Sequence, residues 1–225
     1  MATLISLLWK HFHMSLSQIA YEKILEYIIT GKYKPGSILK EEELASLLKI
    51  SRTPIREALV RLEKEGVIVK NGKSFTVIPL TESDILQLYE VRINLESLAA
   101  KLAAIRASQD EINKIINVLN EIKESANADP LTLANLNGNL HRTIAEASHN
   151  KYIADILDSI RLKLKIVRIT LFTSFQRRDD EFREHESIVI AIKNRSPDLA
   201  YDMMRMHEEK VLEYVKQNIL PVLFR

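Results

Sequence analysis

The sequence predicts a mainly α-helical protein: an N-terminal winged helix-turn-helix with a β-hairpin wing, followed by an antiparallel all-helical bundle of about six helices. Apolar residues recur with helical spacing along most of the 225 residues. Two β-rich runs flank Asn71-Gly72, a dipeptide that favours a tight hairpin turn. After Thr81, no segment alternates as a strand does. We therefore predict an N-terminal extension over residues 1–14 and two domains, over residues 15–79 and 80–225.

The first domain is predicted to contain three short helices before the hairpin, over residues 15–30, 41–48 and 51–65. Three acidic residues, 41–43, occupy the first turn of the second helix, where they suit its positive N-terminus. The third helix begins at Ser51, which can cap it, and Gly66 ends it. The hairpin follows in residues 67–70 and 75–78, and Pro79 ends it.

The second domain reads as helices joined by short breaks. Such short connections predict that neighbouring helices pack antiparallel. The predicted helices are residues 83–106, 109–126, 130–148, 152–172, 178–194 and 196–218.

Composition excludes several classes of protein. The chain has no cysteine, so disulfides and thiolate metal sites are excluded, and a reducing cytoplasm fits. No apolar run is long enough for a membrane span. The formal net charge is only +2, so a DNA-binding surface has to be a local basic patch.

Polar and basic residues gather where the third helix begins. In a helix-turn-helix, the N-terminal residues of the second helix of the pair lie in the major groove of DNA. Here these residues are Ser51, Arg52, Thr53 and Arg56. Arg52 can bind O6 and N7 of guanine together, and the other three can bind phosphates. A short helix with this start is more often plain surface, but a hairpin at the right distance favours the DNA interpretation.

The predicted wing carries basic residues of its own. Lys70 and Lys73 flank the hairpin turn, where a wing would meet the sugar-phosphate backbone. The chain would then have one base-reading residue and several phosphate contacts.

Two runs in this domain resemble the GntR family of repressors: residues 38–45 and residues 50–66, the latter with the motif Ser-Arg-Thr-Pro-Ile-Arg-Glu-Ala-Leu. The resemblance spans residues 15–79. It implies DNA contacts at Arg52, Thr53, Arg56 and Gly72. Lys49 departs from the family pattern, which has glycine in the turn, and it predicts a left-handed backbone at a cost of about 1 kcal/mol.

Three helices of the second domain carry an inward-facing histidine. His141, His185 and His207 each lie on an otherwise apolar helical stripe, and Asn137 precedes His141 by one turn. A single inward histidine is usually a hydrogen-bonded core residue. Three together need a common partner, and a divalent cation is one.

These helices resemble the FCD ligand-binding domain of the FadR subfamily over residues 80–220. The residues that carry the resemblance are Tyr89-Glu90-Val91-Arg92 with Glu96, residues 137–141 and 147–150, Glu184-His185 and His207. It implies that a zinc, nickel or manganese-type ion binds Asn137, His141, His185 and His207, with a small carboxylate effector nearby. Asn137 departs from the common aspartate, which weakens the expected affinity for the metal but favours an anionic effector.

Two arginines are candidates for holding the effector. Arg92 lies on the inner stripe of its helix, and Arg168 can approach from a neighbouring helix. An ion pair between Arg92 and Glu96 within one helix is an equally good interpretation.

The hypothesis is a homodimeric repressor that binds a near-palindromic operator in double-stranded DNA and is released or re-oriented by its effector. A metal-dependent enzyme is one rival, but an attached winged helix has no use there. The other rival is a DNA-binding regulator with a metal-free cavity, whose histidines bond one another.

Overall fold

The computed structural model describes residues 15–72 and 74–224, which divide into two units at Pro79–Leu80. The first unit contains three helices, α1 (Leu16–Ile29), α2 (Glu41–Leu48) and α3 (Arg52–Lys64), and three strands, β1 (Ile38–Leu39), β2 (Ile68–Asn71) and β3 (Ser74–Val77). The winged-helix prediction is confirmed, with one addition. Ile38 and Leu39 form a third, antiparallel strand beside β3, which two residues were too few to reveal in the sequence.

The core of the first unit forms where α1 packs on α3. Ile24 and Ile28 of α1 and Leu59 and Leu62 of α3 are fully buried, as their helical spacing predicted. Removing such side chains from water is the main force that holds a unit this small together.

Two turns set the geometry of this unit. Lys49 ends α2 with φ +55°, so the predicted left-handed backbone is confirmed. In the wing, Asn71 pairs with Ser74 as the last residue of β2, and Gly72 has φ +62°. The predicted turn centre, Asn71-Gly72, was therefore wrong by one residue, because Asn71 belongs to the strand ladder.

The second unit is all-helical in its described residues. Its helices are α4 (Glu82–Arg106), α5 (Gln109–Glu124), α6 (Pro130–Ala147), α7 (Lys151–Lys163), α8 (Lys165–Leu171), α9 (Phe175–Lys193), α10 (Pro197–Tyr214) and α11 (Leu220–Phe224). A π-helical turn, Val215–Ile219, joins α10 to α11. None of these helices combines the length and the apolar character that crossing a membrane would require.

Three predicted boundaries differ from the structure. The predicted helix 152–172 breaks at Leu164, whose ψ of 11° ends α7 before α8 begins. Helix α9 starts at Phe175 rather than 178, because Ser174 caps it by accepting from the Arg177 amide. The last predicted helix runs past 218 through the π turn, which the apolar pattern does not distinguish from an α-helix.

Helix α4 is central to this unit and packs against α6, α7, α9 and α10. Its buried face is rich in alanine, including Ala99, Ala100 and Ala103, so neighbouring helices can approach closely. Helices α6, α9 and α10 carry the three inward histidines, all of which are buried. The packing around α4 therefore brings together residues that lie far apart in the sequence.

Candidate functional site

The N-terminal end of α3 presents its polar side chains to solvent. Arg52 and Arg56 have exposed side chains, 65% and 67%, while Ile55 between them is buried in the core. Ser51 and Thr53 are exposed at the same end. Ser51 occupies the N-cap position but makes no capping hydrogen bond, so that detail of the prediction is wrong. The amides of the first turn are left to water or to a bound anion.

Both arginines pair with glutamates at the start of α2. Arg56 donates two hydrogen bonds to Glu41, at 2.9 Å from Nε to Oε1 and 2.8 Å from Nη2 to Oε2. Arg52 Nη2 lies 2.8 Å from Oε1 of Glu42. The hydrogen bond from Arg56 lowers the pKa of the Glu41 carboxyl. The sequence explained these glutamates only as helix-start residues, since nothing local indicates the pairing across the turn.

A groove of about 760 Å³ separates the start of α3 from the wing. Four of the predicted DNA-contact residues line it: Arg52, Arg56, Lys70 and Gly72. Lys70 and Gly72 are exposed at the end of the wing. The seventh predicted contact, Lys73, lies outside the described residues. Glu41 and Glu42 line the groove as well, so the predicted contact residues lie on one concave face together with the glutamates that pair with the two arginines.

The three histidines meet in the interior of the second unit. Their ring centroids lie 4.5–5.4 Å apart, and each can offer a nitrogen within 4.8 Å of the others. The closest pair is Nε2 of His141 and Nε2 of His185, 3.1 Å apart. Two nitrogens bound at right angles to one ion at about 2.1 Å would lie about 3.0 Å apart. The same separation also suits a hydrogen bond between neutral rings.

Asn137 lies one turn before His141 on α6 and is buried. Its Nδ2 donates to the Leu133 carbonyl at 2.8 Å, and its Oδ1 has no hydrogen-bond partner. A buried acceptor without a donor is rare and calls for a partner such as a cation. Nδ1 of His185 is also buried without a partner. The donor set of one amide oxygen and three imidazoles therefore fits a divalent ion.

Burial and neighbouring charges control the state of the imidazoles. Burial lowers the pKa of His141, and it lowers the pKa of His185 well below the ordinary value. Burial also acts on His207, but the carboxylates of Glu181 and Glu184 outweigh it and raise that pKa. Neutral imidazole is the form that binds a metal, so His141 and His185 are ready to do so near neutral pH.

A carboxylate fixes the orientation of His207. Its Nδ1 donates to Oε2 of Glu184 at 2.7 Å. Burial would raise the pKa of Glu184, but the hydrogen bond from His207 and those from Arg177 bring it down to about 2. A carboxylate that holds one imidazole nitrogen leaves the other for a metal, an arrangement common in metal sites.

Arg92 is held by two buried carboxylates. Its Nη2 lies 2.8 Å from Oε1 of Glu208 on α10, and its Nε lies 3.7 Å from Oε1 of Glu96. Burial opposes the charge on Arg92, but Glu208, Tyr89 and Glu96 together outweigh it and raise the pKa. Arg161 also pairs with Glu96, at 3.2 Å. The intrahelical pair between Arg92 and Glu96 is therefore present, and Glu208 adds a closer partner from another helix.

Arg168 has a different environment. It is buried, and its Nη2 donates to the Ala134 carbonyl. Within the described part of the chain, no carboxylate forms an ion pair with it. Burial and repulsion from Arg92 and Arg161 lower its pKa to about 10. A methyl group added at Gly138 would overlap its guanidinium, so the glycine makes room for this arginine.

Several charged residues of this centre were not predicted: Arg161, Arg177, Glu181 and Glu208. Helical spacing carried a signal for two of them. Glu181 precedes His185 by one turn, and Arg177 precedes Glu181 by one turn, which places them on one face. Glu208 carried such a signal as well, since it lies four residues after Met204 and three before Val211, but only the packing of α10 on α4 reveals its partner.

Family models match both parts of the chain. The model described as bacterial regulatory proteins, gntR family, matches residues 16–78, and the FCD domain model matches residues 87–210. The solved structure of E. coli McbR/YncC has the same fold, with a TM-score of 0.62 at 18% identity over 91% of this chain and 98% of that one. Members of these families are DNA-binding transcriptional regulators and not enzymes.

Relatives that match most of the chain are also named as transcriptional regulators. The Nta operon transcriptional regulator of Aminobacter aminovorans is 30% identical over 204 residues, which cover 88% of this chain and 95% of that protein. The gluconate operon transcriptional repressor of Bacillus licheniformis is 28% identical over 193 residues, 82% of this chain and 78% of that protein. The chain therefore belongs to the GntR family of DNA-binding transcriptional regulators, in the FadR-like group that carries an FCD domain.

Proposed function

We propose that this regulator is a cytoplasmic homodimeric repressor that binds a near-palindromic operator and is released by a small organic acid at a metal site. The observation that carries the proposal is the orphaned Oδ1 of Asn137 beside three converging buried histidines. An ion at this centre would join helices α6, α9 and α10, which is how binding there can change the whole helical unit.

The proposed DNA contacts divide between the two sides of the groove. Arg52 reads a guanine, while Ser51, Thr53 and Arg56 bind phosphates at the N-terminus of α3. On the wing, Lys70 and Lys73 bind phosphates and Gly72 allows close approach of the backbone. The exposure of Arg52 and Arg56 supports these roles, because each can leave its glutamate for DNA without unfolding anything.

The proposed metal ligands are Asn137, His141, His185 and His207. Histidine and amide ligands suit several divalent ions, of the zinc, nickel or manganese type. Such an ion supplies open coordination positions that a carboxylate can fill. Glu184 holds the His207 ring in the orientation that this role requires.

The effector's carboxylate needs a cation that is not already paired. Arg92 is occupied by Glu208 and Glu96, so we assign it to the support of the site. Arg168 is buried with a carbonyl as its hydrogen-bond partner. An incoming carboxylate would stabilise the charged guanidinium and so raise its lowered pKa. We therefore assign Arg168 as the anion-binding residue.

An apolar stripe on α4 supports the homodimer. Val91, Leu98 and Ile105 are exposed large apolar residues spaced seven apart. Leu95 and Leu102 lie between them and are half-buried, which completes a three-four repeat. This repeat is typical of a seam between two helices, and a second copy of α4 is the partner with the same pattern.

The test begins with elemental analysis of protein purified without chelator, beside the variants His185→Ala and His149→Ala. We expect about one divalent ion per chain in the wild type and in His149→Ala, whose histidine is exposed, and none in His185→Ala. DNA selected from a random pool then serves as the operator in binding assays with and without acetate.

We expect acetate to weaken operator binding by the wild type but not by His185→Ala. Metal-free wild-type protein that still binds DNA would instead favour the cavity whose histidines bond each other, for which the 3.1 Å contact between His141 and His185 is the specific support.

A further inference from the structure

A cleft of about 300 Å³ opens between helices α5, α6 and α9. Its walls are apolar and include Leu133, Phe172 and Phe182. Asn137 also lines it, so the cleft reaches the same residue whose buried Oδ1 has no partner. Asn137 therefore belongs both to the lining of this cleft and to the proposed metal centre. We call the cleft the Asn137 cleft.

Basic side chains surround the opening of the Asn137 cleft. Lys123, Arg178 and Arg183 line it against one acid, Asp179, so the balance is three positive charges to one negative. Arg178 is committed to the wall, since it donates to the carbonyls of Phe172 at 2.7 Å and of Ala128 at 3.2 Å. Nζ of Lys123 stands 6.0 Å from the Phe182 ring centroid. A basic rim around an apolar interior attracts anions that carry an apolar group.

The size of the cleft limits what it can hold. Ligand pockets usually span about 300–1,000 Å³, and this one is at the lower limit. This volume is enough for a ring or a branched alkyl group, which would contact Phe172 and Phe182 in the wall of the cleft. A nucleotide or a sugar acid would place polar groups against the apolar part of the wall, formed by Leu133, Phe172 and Phe182, which is unfavourable.

We propose that the Asn137 cleft is the specificity pocket for the effector, which is a carboxylate bearing an aryl or branched apolar group. This inference rests on the proposed metal site, where the carboxylate itself would lie. Phe172 and Phe182 then determine the effector class, and the basic rim draws the acid in.

The experiment uses the full chain loaded with the ion found by elemental analysis and compares benzoate with acetate by calorimetry. We expect benzoate to bind at least about tenfold more tightly, because its ring leaves water for the cleft. The variant Ala126→Trp fills the opening from an exposed lining residue. It should reduce benzoate affinity to that of acetate and leave acetate affinity unchanged.

Asn127→Trp is the matched control, because it adds the same bulk at the neighbouring exposed position, which does not line the cleft. It should behave as the wild type. Equal affinities for benzoate and acetate in the wild type, or full benzoate affinity in Ala126→Trp, would overturn the inference while the metal-site proposal stood. If the wild type bound neither a metal ion nor acetate, the proposed function would be refuted, and this inference with it.

Discussion

The two units use the same ion pair in opposite environments. In the first, Arg56 meets Glu41 at 2.8 Å with the arginine two-thirds exposed; in the second, Arg92 meets Glu208 at 2.8 Å with both side chains buried. In water, a pair like the first adds little stability and is easily exchanged for another anion. The two members of a buried pair stay together, because separating them would leave each charge in the interior with neither solvent nor a counter-ion.

The contrast explains how the chain divides its tasks. The two arginines that we propose as DNA contacts lie at the surface, each paired with a glutamate whose place a phosphate or a base would take on DNA binding. Arginines inside the helical unit are part of its architecture, and Arg168 is the exception because it lacks a carboxylate. The same side chain is therefore a mobile contact in one unit and a fixed support in the other.

The largest expected effect comes from breaking a buried pair. Arg92→Ala leaves Glu208 without its arginine in a dry interior and removes one of the two arginines that pair with Glu96. We expect the free energy of unfolding to fall by about 3–5 kcal/mol. Urea unfolding followed by circular dichroism measures this change.

A double variant provides the control. Removing both charges with Arg92→Met and Glu208→Met should recover much of the loss, because no isolated charge then remains. If Arg92→Ala proved as stable as the wild type, the pair would have to be solvated in solution, contrary to its burial.

Arg52→Ala tests the proposed role of an exposed arginine in reading DNA. If Arg52 reads a guanine, its loss should reduce discrimination between the selected operator and random DNA by about 1–3 kcal/mol. Binding assays at fixed salt measure the ratio. Lys70→Ala is the matched control, since loss of a phosphate contact should weaken all DNA binding and lower the salt slope by about 1 without changing that ratio. An unchanged ratio in Arg52→Ala would contradict a base contact.

Glu42→Gln should have a smaller effect on DNA binding than Arg52→Ala, and it should strengthen binding rather than weaken it. DNA has to displace this glutamate from Arg52, and the pair is exposed on both sides. Removing its charge should strengthen DNA binding by about 0.2–1 kcal/mol. Fluorescence anisotropy with labelled operator measures it, and weaker binding would show that Glu42 helps to position Arg52 rather than competing with DNA.

The smallest expected effect concerns the exposed pair of Glu111 and His149. Hydrogen bonds from His149 and from the Ser108 amide lower the pKa of Glu111 to about 2. Because the folded pKa lies below the unfolded value, Glu111 stabilises the protein above about pH 4.5 and loses this contribution as the pH falls towards 2.

Glu111→Gln should therefore lower the Tm slightly at pH 7, and the difference from wild type should vanish near pH 2. Thermal unfolding across this pH range measures it. Glu121→Gln, which removes the same charge from the same helix, is the matched control. A difference that grew in acid would contradict the assigned direction.

The sequence was most informative where local rules decide the structure. Helix starts, the glycine at the wing and the inward histidines followed from spacing and turn chemistry, and the left-handed Lys49 followed from the family pattern. The break at Leu164 and the pairs of Arg52 and Arg56 with α2 did not, because they depend on contacts between distant segments. The pairing of Glu208 with Arg92 was missed for the same reason.

If Arg168 binds the effector as proposed, Gly138 governs recognition without touching the ligand. Gly138 has no side chain, and the guanidinium of Arg168 occupies the space where a side chain would lie. An alanine at this position would displace the guanidinium of Arg168 without changing any of the proposed metal ligands. Two relatives could then share all of those ligands and still respond to different molecules. When regulators of this group are sorted by the signals they sense, this position belongs in the comparison beside the groups that make the contacts.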